Sequence, residues 1–478
     1  MAIASHAATA ADEVHGLIAT IPVADAPIVI SRADALEQWK LKASASRKPW
    51  DPTDDVFIPR FDARDALGGD ASRASLAFEW QRAVGSGRLE AAAFARRSLL
   101  DLYSDLARAD GASSGERFEQ RDRRGLFTGA LRWSGASGLG SFDSSHSLTM
   151  RLRAESFDAD GVLTAPSREP LATMREDRLR QVNTGFDFAN EIELASRLRW
   201  TSGLRYDAYR FATQSDLAGH AGQLSGRGPS WHGALIAELP GGSELSIASG
   251  RGFLPGDPRV PGAAFDPRTG APVGRLDPLA TLATTEISLR GSWLPQTSTS
   301  LGVFRSRSDA GLVFTGDAGL ADLTRPTIRQ GVELGAHYEP SSRLALDVRA
   351  AALRARFADG AAGYVPGAAD RGMSAAATMR VPNGWTAMLL VNYLGRRHAS
   401  EDGGVSVKPS SFVNARLSRN LSKSTRVTFD VFNVFDRHAR DIDALSAARF
   451  WNQPGAADSF LFNPAEPRGF RIKLRTTF

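Results

Sequence analysis

Cysteine is absent from all 478 residues, which excludes a disulfide scaffold, a thiolate metal site and a cysteine nucleophile. Long apolar runs are absent too. The stretch Met388-Leu389-Leu390-Val391 is typical of the longest, far short of the roughly 18 residues a spanning helix needs, so a helical membrane protein is excluded. Lysine is scarce: 52 of the 58 basic residues are arginine, scattered along the chain and nearly balanced by 53 acids, for a net charge of +5. No basic arm is present, and no nucleic-acid partner is expected. The N-terminus has no Lys or Arg before Arg32 and no apolar signal-peptide core. Residues 1–35 therefore read as an irregular segment with no visible export signal.

Patterns for chemistry are missing as well. The eight histidines form no pair at metal-ligand spacing. Asp51, Asp54 and Asp55 cluster without the glycine and terminal glutamate of a calcium loop. No GxSxG nucleophile elbow exists. The chain is expected to be no enzyme, with no catalytic residue, cofactor site or metal site.

What is present is alternation with period two, the mark of strands whose faces meet different surroundings. Ala74, Leu76, Phe78 and Trp80 alternate with Arg73, Ser75, Glu79 and Gln81. Thr285, Ile287, Leu289 and Trp293 alternate with Glu286, Ser288, Arg290 and Ser292, and the same holds around Val332 to Tyr338 and Leu344 to Val348. Helix is expected only at 30–41 and 441–449. Tight turns at 85–87, 195–196, 240–242, 295–296, 340–342, 382–384 and 421–424 take turns with longer Gly/Pro/Asp-rich loops, as in a sheet whose two rims face different compartments. Eight hairpins between 72 and 436, with a first strand at 36–46 and a last at 469–478, predict an all-β, antiparallel, up-and-down transmembrane barrel of about 18 strands occupying 36–478. Strands of about 11 or 12 residues, tilted by about 40°, span roughly 25 to 30 Å, which fits a bilayer. A propeller is disfavoured because no blade motif repeats.

Trp200, Trp293, Tyr338 and Trp385 all lie near short turns on apolar faces, where an interfacial girdle belongs. The alternative, core aromatics of a soluble sandwich, does not favour those positions. At the C-terminus Phe470, Ile472, Leu474 and the terminal Phe478 share one face. That phase resembles the signal by which the barrel assembly machinery recognises its clients, with Phe470 and Phe478 as its marks.

Three segments together resemble the barrel of the TonB-dependent receptor family: Gly203-Leu204-Arg205-Tyr206-Asp207-Ala208-Tyr209; Arg325-Pro326-Thr327-Ile328-Arg329-Gln330-Gly331-Val332-Glu333-Leu334; and Val431-Phe432-Asn433-Val434-Phe435-Asp436-Arg437, followed by Glu466-Pro467-Arg468 and Phe478. The resemblance covers about 50–478 and implies a Gram-negative outer-membrane receptor with short periplasmic turns and long extracellular loops, importing a scarce nutrient such as a ferric siderophore. Receptor barrels of this type have about 22 strands and a plugged lumen. Residues 1–49 contain no recognisable plug, signal peptide or coupling box. Active import with a TonB-type coupling protein is thus expected only if a plug is supplied; the alternative is a passive, porin-like channel.

If the apolar faces meet lipid, Arg197, Arg199, Arg205, Arg290, Arg329 and Arg349 face the lumen. Such guanidinium groups favour anionic solutes through charge and bidentate hydrogen bonds. The alternative is that they neutralise inward acids such as Asp207, Glu286, Glu333 and Asp347. Both readings stay open on sequence alone.

Overall fold

The computed structural model describes residues 28–33, 37–50, 68–104, 117–139, 142–164, 170–216, 221–255, 279–309, 311–315, 320–359, 363–448, 457–465 and 467–476. Every regular element in them is a strand. The wall begins with β1 (Ile28–Ala33), β2 (Glu37–Trp50), β3 (Gly68–Val84), β4 (Gly87–Ser104), β5 (Arg117–Leu139), β6 (Phe142–Thr164) and β7 (Pro170–Ala195). It continues with β8 (Leu198–Ser215), β9 (Gly222–Leu239), β10 (Ser243–Pro255), β11 (Leu279–Gly291) and β12 (Thr297–Ser308). A separate hairpin, β13 (Gly311–Thr315) and β14 (Leu320–Thr324), precedes β15 (Thr327–Ser341), β16 (Leu344–Phe357), β17 (Arg371–Val381) and β18 (Trp385–Leu394). After the short pair β19 (Arg397–His398) and β20 (Ser406–Val407) come β21 (Ser410–Asn420) and β22 (Thr425–Phe432). The hairpin β23 (Arg440–Ala448) and β24 (Ala457–Pro464) leads into the last wall strand, β25 (Gly469–Thr476).

Nineteen strands form one antiparallel sheet in which each wall strand pairs with the next along the chain. Eighteen of them are those expected; the nineteenth is β1, within the segment read as irregular. The expected closing ladder between the first and last strands is not formed among the described residues. Both helices expected from the sequence are strands instead. Residues 30–33 fall on β1, 37–41 on β2 and 441–448 on β23. Helix-forming residues there yield to ladders with β3 and β24, because tertiary pairing overrides a weak local propensity.

The short connections are set by backbone geometry. Gly85 opens the two-residue turn between β3 and β4 at φ +59°, the conformation a type II′ hairpin demands and glycine adopts without strain. Gly241 and Gly242 serve the β9–β10 turn at φ +83° and +75°. At the opposite end the strands run far beyond the predicted length. β5 and β6 have 23 residues each and β7 has 26, so β7 rises on the order of 65 Å along the membrane normal. Residues 160–164, 170–177, 212–215 and 222–228, whose Gly/Pro/Asp-rich surroundings read as long loops, are therefore strand, whereas β17, β18 and β21 keep to 10 or 11 residues.

The Asn433-to-Asp436 motif is a staple at the end of β22. Asn433, buried and at φ +46°, accepts the Arg437 amide at its side-chain oxygen (2.9 Å), and its own amide donates to Asn414 Oδ1 (2.9 Å). Asp436 accepts the amide of Arg468 just before β25 (2.9 Å), which ties the last wall strand to its neighbour.

Candidate functional site

Register propagates two faces around the wall. On one, Leu148, Phe188 and Leu204 share a row through β6, β7 and β8, with Leu148 54% and Leu204 63% exposed. So much exposed apolar surface on one face of a sheet belongs against lipid. The opposite face is polar, and arginine dominates it.

Five of the six predicted arginines lie on that polar face: Arg199, Arg205, Arg290, Arg329 and Arg349, each out of phase with the apolar row of its strand. Arg197 does not, because it occupies the two-residue turn between β7 and β8, where its carbonyl accepts the Glu238 amide (2.8 Å). Arg199 is neutralised, donating to Glu191 (3.3 Å) and Glu244 (2.5 Å). Arg205 donates to the buried Asp207 (2.6 Å), which also accepts from Asn183 (3.2 Å). Arg290, Arg329 and Arg349 make no ion pair among the described residues.

A denser group was not singled out from the sequence. Register aligns Arg73 of β3, Ser98 of β4 and Arg124 of β5 in one row; Arg96 of β4 stands in the next row and Arg153 of β6 in the one after. The charges acting on Arg96 are those of Arg73, Arg124 and Arg153 against one carboxylate, Glu155. Glu155 already accepts from Arg153 (2.8 Å), and Arg124 pairs with Asp122 (3.3 Å) while its guanidinium lies 4.1 Å from the centre of the Phe157 ring. Arg73 and Arg96 form no ion pair among the described residues. The signal was available in the alternation of β4 to β6, but which arginines meet depends on register.

Four further residues mark the short-turn rim. Trp200, Trp293 and Tyr338 are exposed on or beside the apolar face, and Trp385 opens β18 beneath the Arg419 guanidinium (5.2 Å). Trp80, in register with Trp39, stands at the same rim on β3. On β25 Phe470, Ile472 and Leu474 are all more than half exposed on one face; Phe478 lies outside the described residues, as do Asp51, Asp54 and Asp55.

The family model "TonB dependent receptor-like, beta-barrel" matches residues 32–434. The chain belongs to the TonB-dependent receptor family. Its barrel is similar to the unliganded ferric citrate transporter FecA, with TM-score 0.72 and 14% identity over 95% of this chain and 70% of that one. The Ferric-Catecholate import receptor Fiu from K12 E. coli aligns with TM-score 0.71 and 11% identity over 94% and 74%. The ferric yersiniabactin uptake receptor FyuA from Yersinia pestis aligns with TM-score 0.70 and 14% identity over 93% and 68%. A comparison with curated protein sequences gave no match. At these identities the likeness is one of fold. Members of the family sit in the outer membrane of Gram-negative bacteria and work with TonB.

Outer-membrane barrels keep their short turns on the periplasmic side and their longer connections outside, which makes the short-turn rim the periplasmic one and the long-strand end the extracellular one. At the periplasmic end, a cavity of about 460 Å³ is lined by β21, β22, β25 and the turn between β21 and β22. Its one acid is Asp430, buried between Arg416 (2.5 Å) and Arg471 (2.6 Å). At the extracellular end, Arg325 bonds both Asp359 and Glu401 (2.7 Å to the latter), and these contacts hold its guanidinium pKa above the ordinary value. Beside it, Asp402 Oδ1 accepts from the Ser400 hydroxyl (2.5 Å) and the Gly404 amide (2.9 Å), which keeps its carboxyl below the usual carboxylate range. A depressed carboxylate pKa stabilises the turn at and above the ordinary value near 3.9, and the contribution is lost as pH falls through the lower, folded value. The Gly404 amide is expected to stay protected from exchange down through pH of about 4 and to lose protection only in stronger acid; Asp402→Asn should remove this pH dependence, as NMR hydrogen exchange would read. No group of three or more His, Asp or Glu residues is poised for a metal ion among the described residues.

Proposed function

We propose that this receptor barrel admits a bulky, anionic solute from outside the cell, with ferric siderophores the leading class. The observation that carries this reading is the crowding of Arg73, Arg96, Arg124 and Arg153 on the polar face, where Asp122 is paired to Arg124 and Glu155 to Arg153, so that Arg73 and Arg96 form no ion pair among the described residues. Arg96 lies nine residues beyond the start of β4 at the periplasmic turn, so the group sits toward the extracellular half, where an incoming solute arrives first. Uncompensated guanidinium groups attract anions and grip carboxylate or catecholate oxygens in pairs. The iron-carrying receptors among the structural neighbours support the class of cargo by likeness of fold alone. Energy-coupled import further needs a plug inside the lumen, whose partner would be TonB.

A second reading is a passive channel formed by residues 36–478, favoured by the continuous polar, arginine-rich face that the wall presents opposite its apolar one. Conductance in planar bilayers separates the two. The chain alone is expected to pass ions with preference for anions, and glutamine at all four arginines should reduce the chloride-over-potassium permeability ratio by roughly three- to tenfold, the scale on which lined charge focuses counter-ions. Binding then tests the cargo. Anionic ferric complexes should quench tryptophan fluorescence at lower concentration than neutral ones of similar size, and R96Q/R153Q should abolish the difference. Equal affinity for neutral and anionic complexes in the unmodified chain would sink the anionic reading.

A further inference from the structure

The cavity at the periplasmic mouth holds more positive charge than the wall around it uses. On the polar face of the last three wall strands, register stacks three rows: Arg416, Asp430 and Arg471; Ser418, Thr428 and Lys473; Asn420, Arg426 and Arg475. The residues between them, Phe429 with Ile472 and Val427 with Leu474, belong to the outward face. Asp430 is the one acid among the residues lining the cavity, and both its oxygens are taken by the innermost row, one by Arg416 (2.5 Å) and the other by Arg471 (2.6 Å). Lys423, Arg426, Lys473 and Arg475 form no ion pair among the described residues, and all four are exposed. Arg426 is held by a neutral partner, its Nε donating to Asn420 Oδ1 (2.7 Å).

By itself this arrangement works against the sheet. Like charges directly opposite one another on one face repel, and Arg426 stands directly opposite Arg475, with Lys473 in the adjoining row. Neighbouring strands are about 4.8 Å apart and same-face neighbours along a strand about 6.7 Å, so the cations sit on a mesh of that size. A compact anion with two or more charges bridges such a mesh, whereas a chloride neutralises one point of it. The rest of the lining suits an oxyanion. Ser422, Ser424, Thr425 and Thr428 bring hydroxyl groups that can donate, and no aromatic ring stands among the described residues lining the cavity to receive a flat apolar group.

We propose that this cavity is a binding site for a compact phosphate-type polyanion, of the class of pyrophosphate, that enters from the periplasm. The planar forks of Arg426 and Arg475 match phosphate oxygens in pairs, and Lys423 and Lys473 add mobile point charges beside them. The turn residues Ser422 to Thr425 belong to the lining, which puts the opening at the short-turn rim and makes the periplasm the side of entry. The site is separate from the arginine group of β3 to β6, which stands on other strands and toward the extracellular half. The inference rests on the two faces of the wall and not on the proposed cargo.

The scarcity of lysine makes the test direct. Lys423 and Lys473 line the cavity, and Lys408 is exposed just before β21, at the extracellular end. The full chain folded in neutral detergent micelles is acetylated briefly with pyrophosphate or with sodium chloride at equal ionic strength, and modification is read lysine by lysine by mass spectrometry. Pyrophosphate should slow acetylation of Lys423 and Lys473 severalfold and saturably, while Lys408 reacts unchanged. Absence of protection, or equal protection of Lys408, overturns the proposal without any variant. The variant R426Q/R475Q keeps both lysines and should raise the pyrophosphate concentration for half protection by roughly 2- to 25-fold, taking each exposed charge pair as worth a factor of roughly 1.5 to 5. The variant R88Q/R343Q removes the same charge from exposed arginines of the same rim outside the cavity and should leave that concentration unchanged. Equal weakening by the two variants would mean that net charge at the rim, not the cavity, holds the anion.

Discussion

Leu289→Arg is expected to cut the yield of assembled barrel sharply, whereas Ser288→Arg at the adjacent position leaves it near normal. Leu289 lies in the apolar row with Leu245 and Leu301, and Ser288 in the polar row with Ser246 and Gly302. An arginine on the lipid face costs about 2 to 4 kcal/mol near the bilayer midplane, falling toward the interfaces. Leu289 is four residues from the rim residue Trp293, so the cost there is of that order but not its maximum. On the polar face Ser288 is itself buried between Ser246 and Gly302, but a long guanidinium stem extends past these small neighbours toward the Glu286 row and the water of the lumen, so the cost is smaller, on the order of 1 kcal/mol. Refolding into lipid vesicles, read by the mobility of unheated samples on gels, distinguishes the two variants. Equal yields would overturn the assignment of the faces.

Asp430→Asn is expected to be the most damaging exchange on the polar face. This carboxylate is 3% exposed and is gripped by Arg416 from one side and Arg471 from the other. It is also the one acid lining a cavity whose other charged residues are all basic: Arg416, Lys423, Arg426, Arg471, Lys473 and Arg475. Removing one partner of a buried pair leaves the others desolvated without compensation, at about 3 to 5 kcal/mol when all are buried. Arg416 is half exposed here, so roughly 2 to 3 kcal/mol is the fitting scale, seen as a lower urea midpoint for the folded chain in micelles. Asp347→Asn, whose ion-pair partner among the described residues is the half-exposed His337 (2.7 Å), should change stability by about 0.5 kcal/mol or less. If the two variants unfold at the same urea concentration, Asp430 is not the keystone of the last strands.

The alternation around Leu76, Ile287 and Val332 was legible because a membrane wall presents each strand with two solvents, so hydrophobicity must change sign at every residue. The short turns were legible for a similarly local reason, since Gly85, Gly241 and Gly242 supply backbone angles that few residues tolerate. The lengths of β5, β6 and β7 were not. Beyond the bilayer both faces meet water, the apolar phase vanishes, and strand becomes indistinguishable from polar loop in segments such as 157–164 and 176–182. The hairpins β13–β14 and β23–β24 were missed for the same reason. The stretch 30–41, with its Ala, Leu, Glu and Gln, resembled a helix until pairing with β3 decided otherwise.

By itself the amino-acid sequence determined the class of the protein, the phase of each strand and the sidedness of its turns, because these follow from the chemistry of a residue and its near neighbours. Only the tertiary structure decided which arginines stand together. Arg73, Arg96, Arg124 and Arg153 come from four strands, separated by up to 80 positions between Arg73 and Arg153. Their alignment depends on ladder register, where a slip of one residue exchanges the two faces, and register is set by the whole sheet at once.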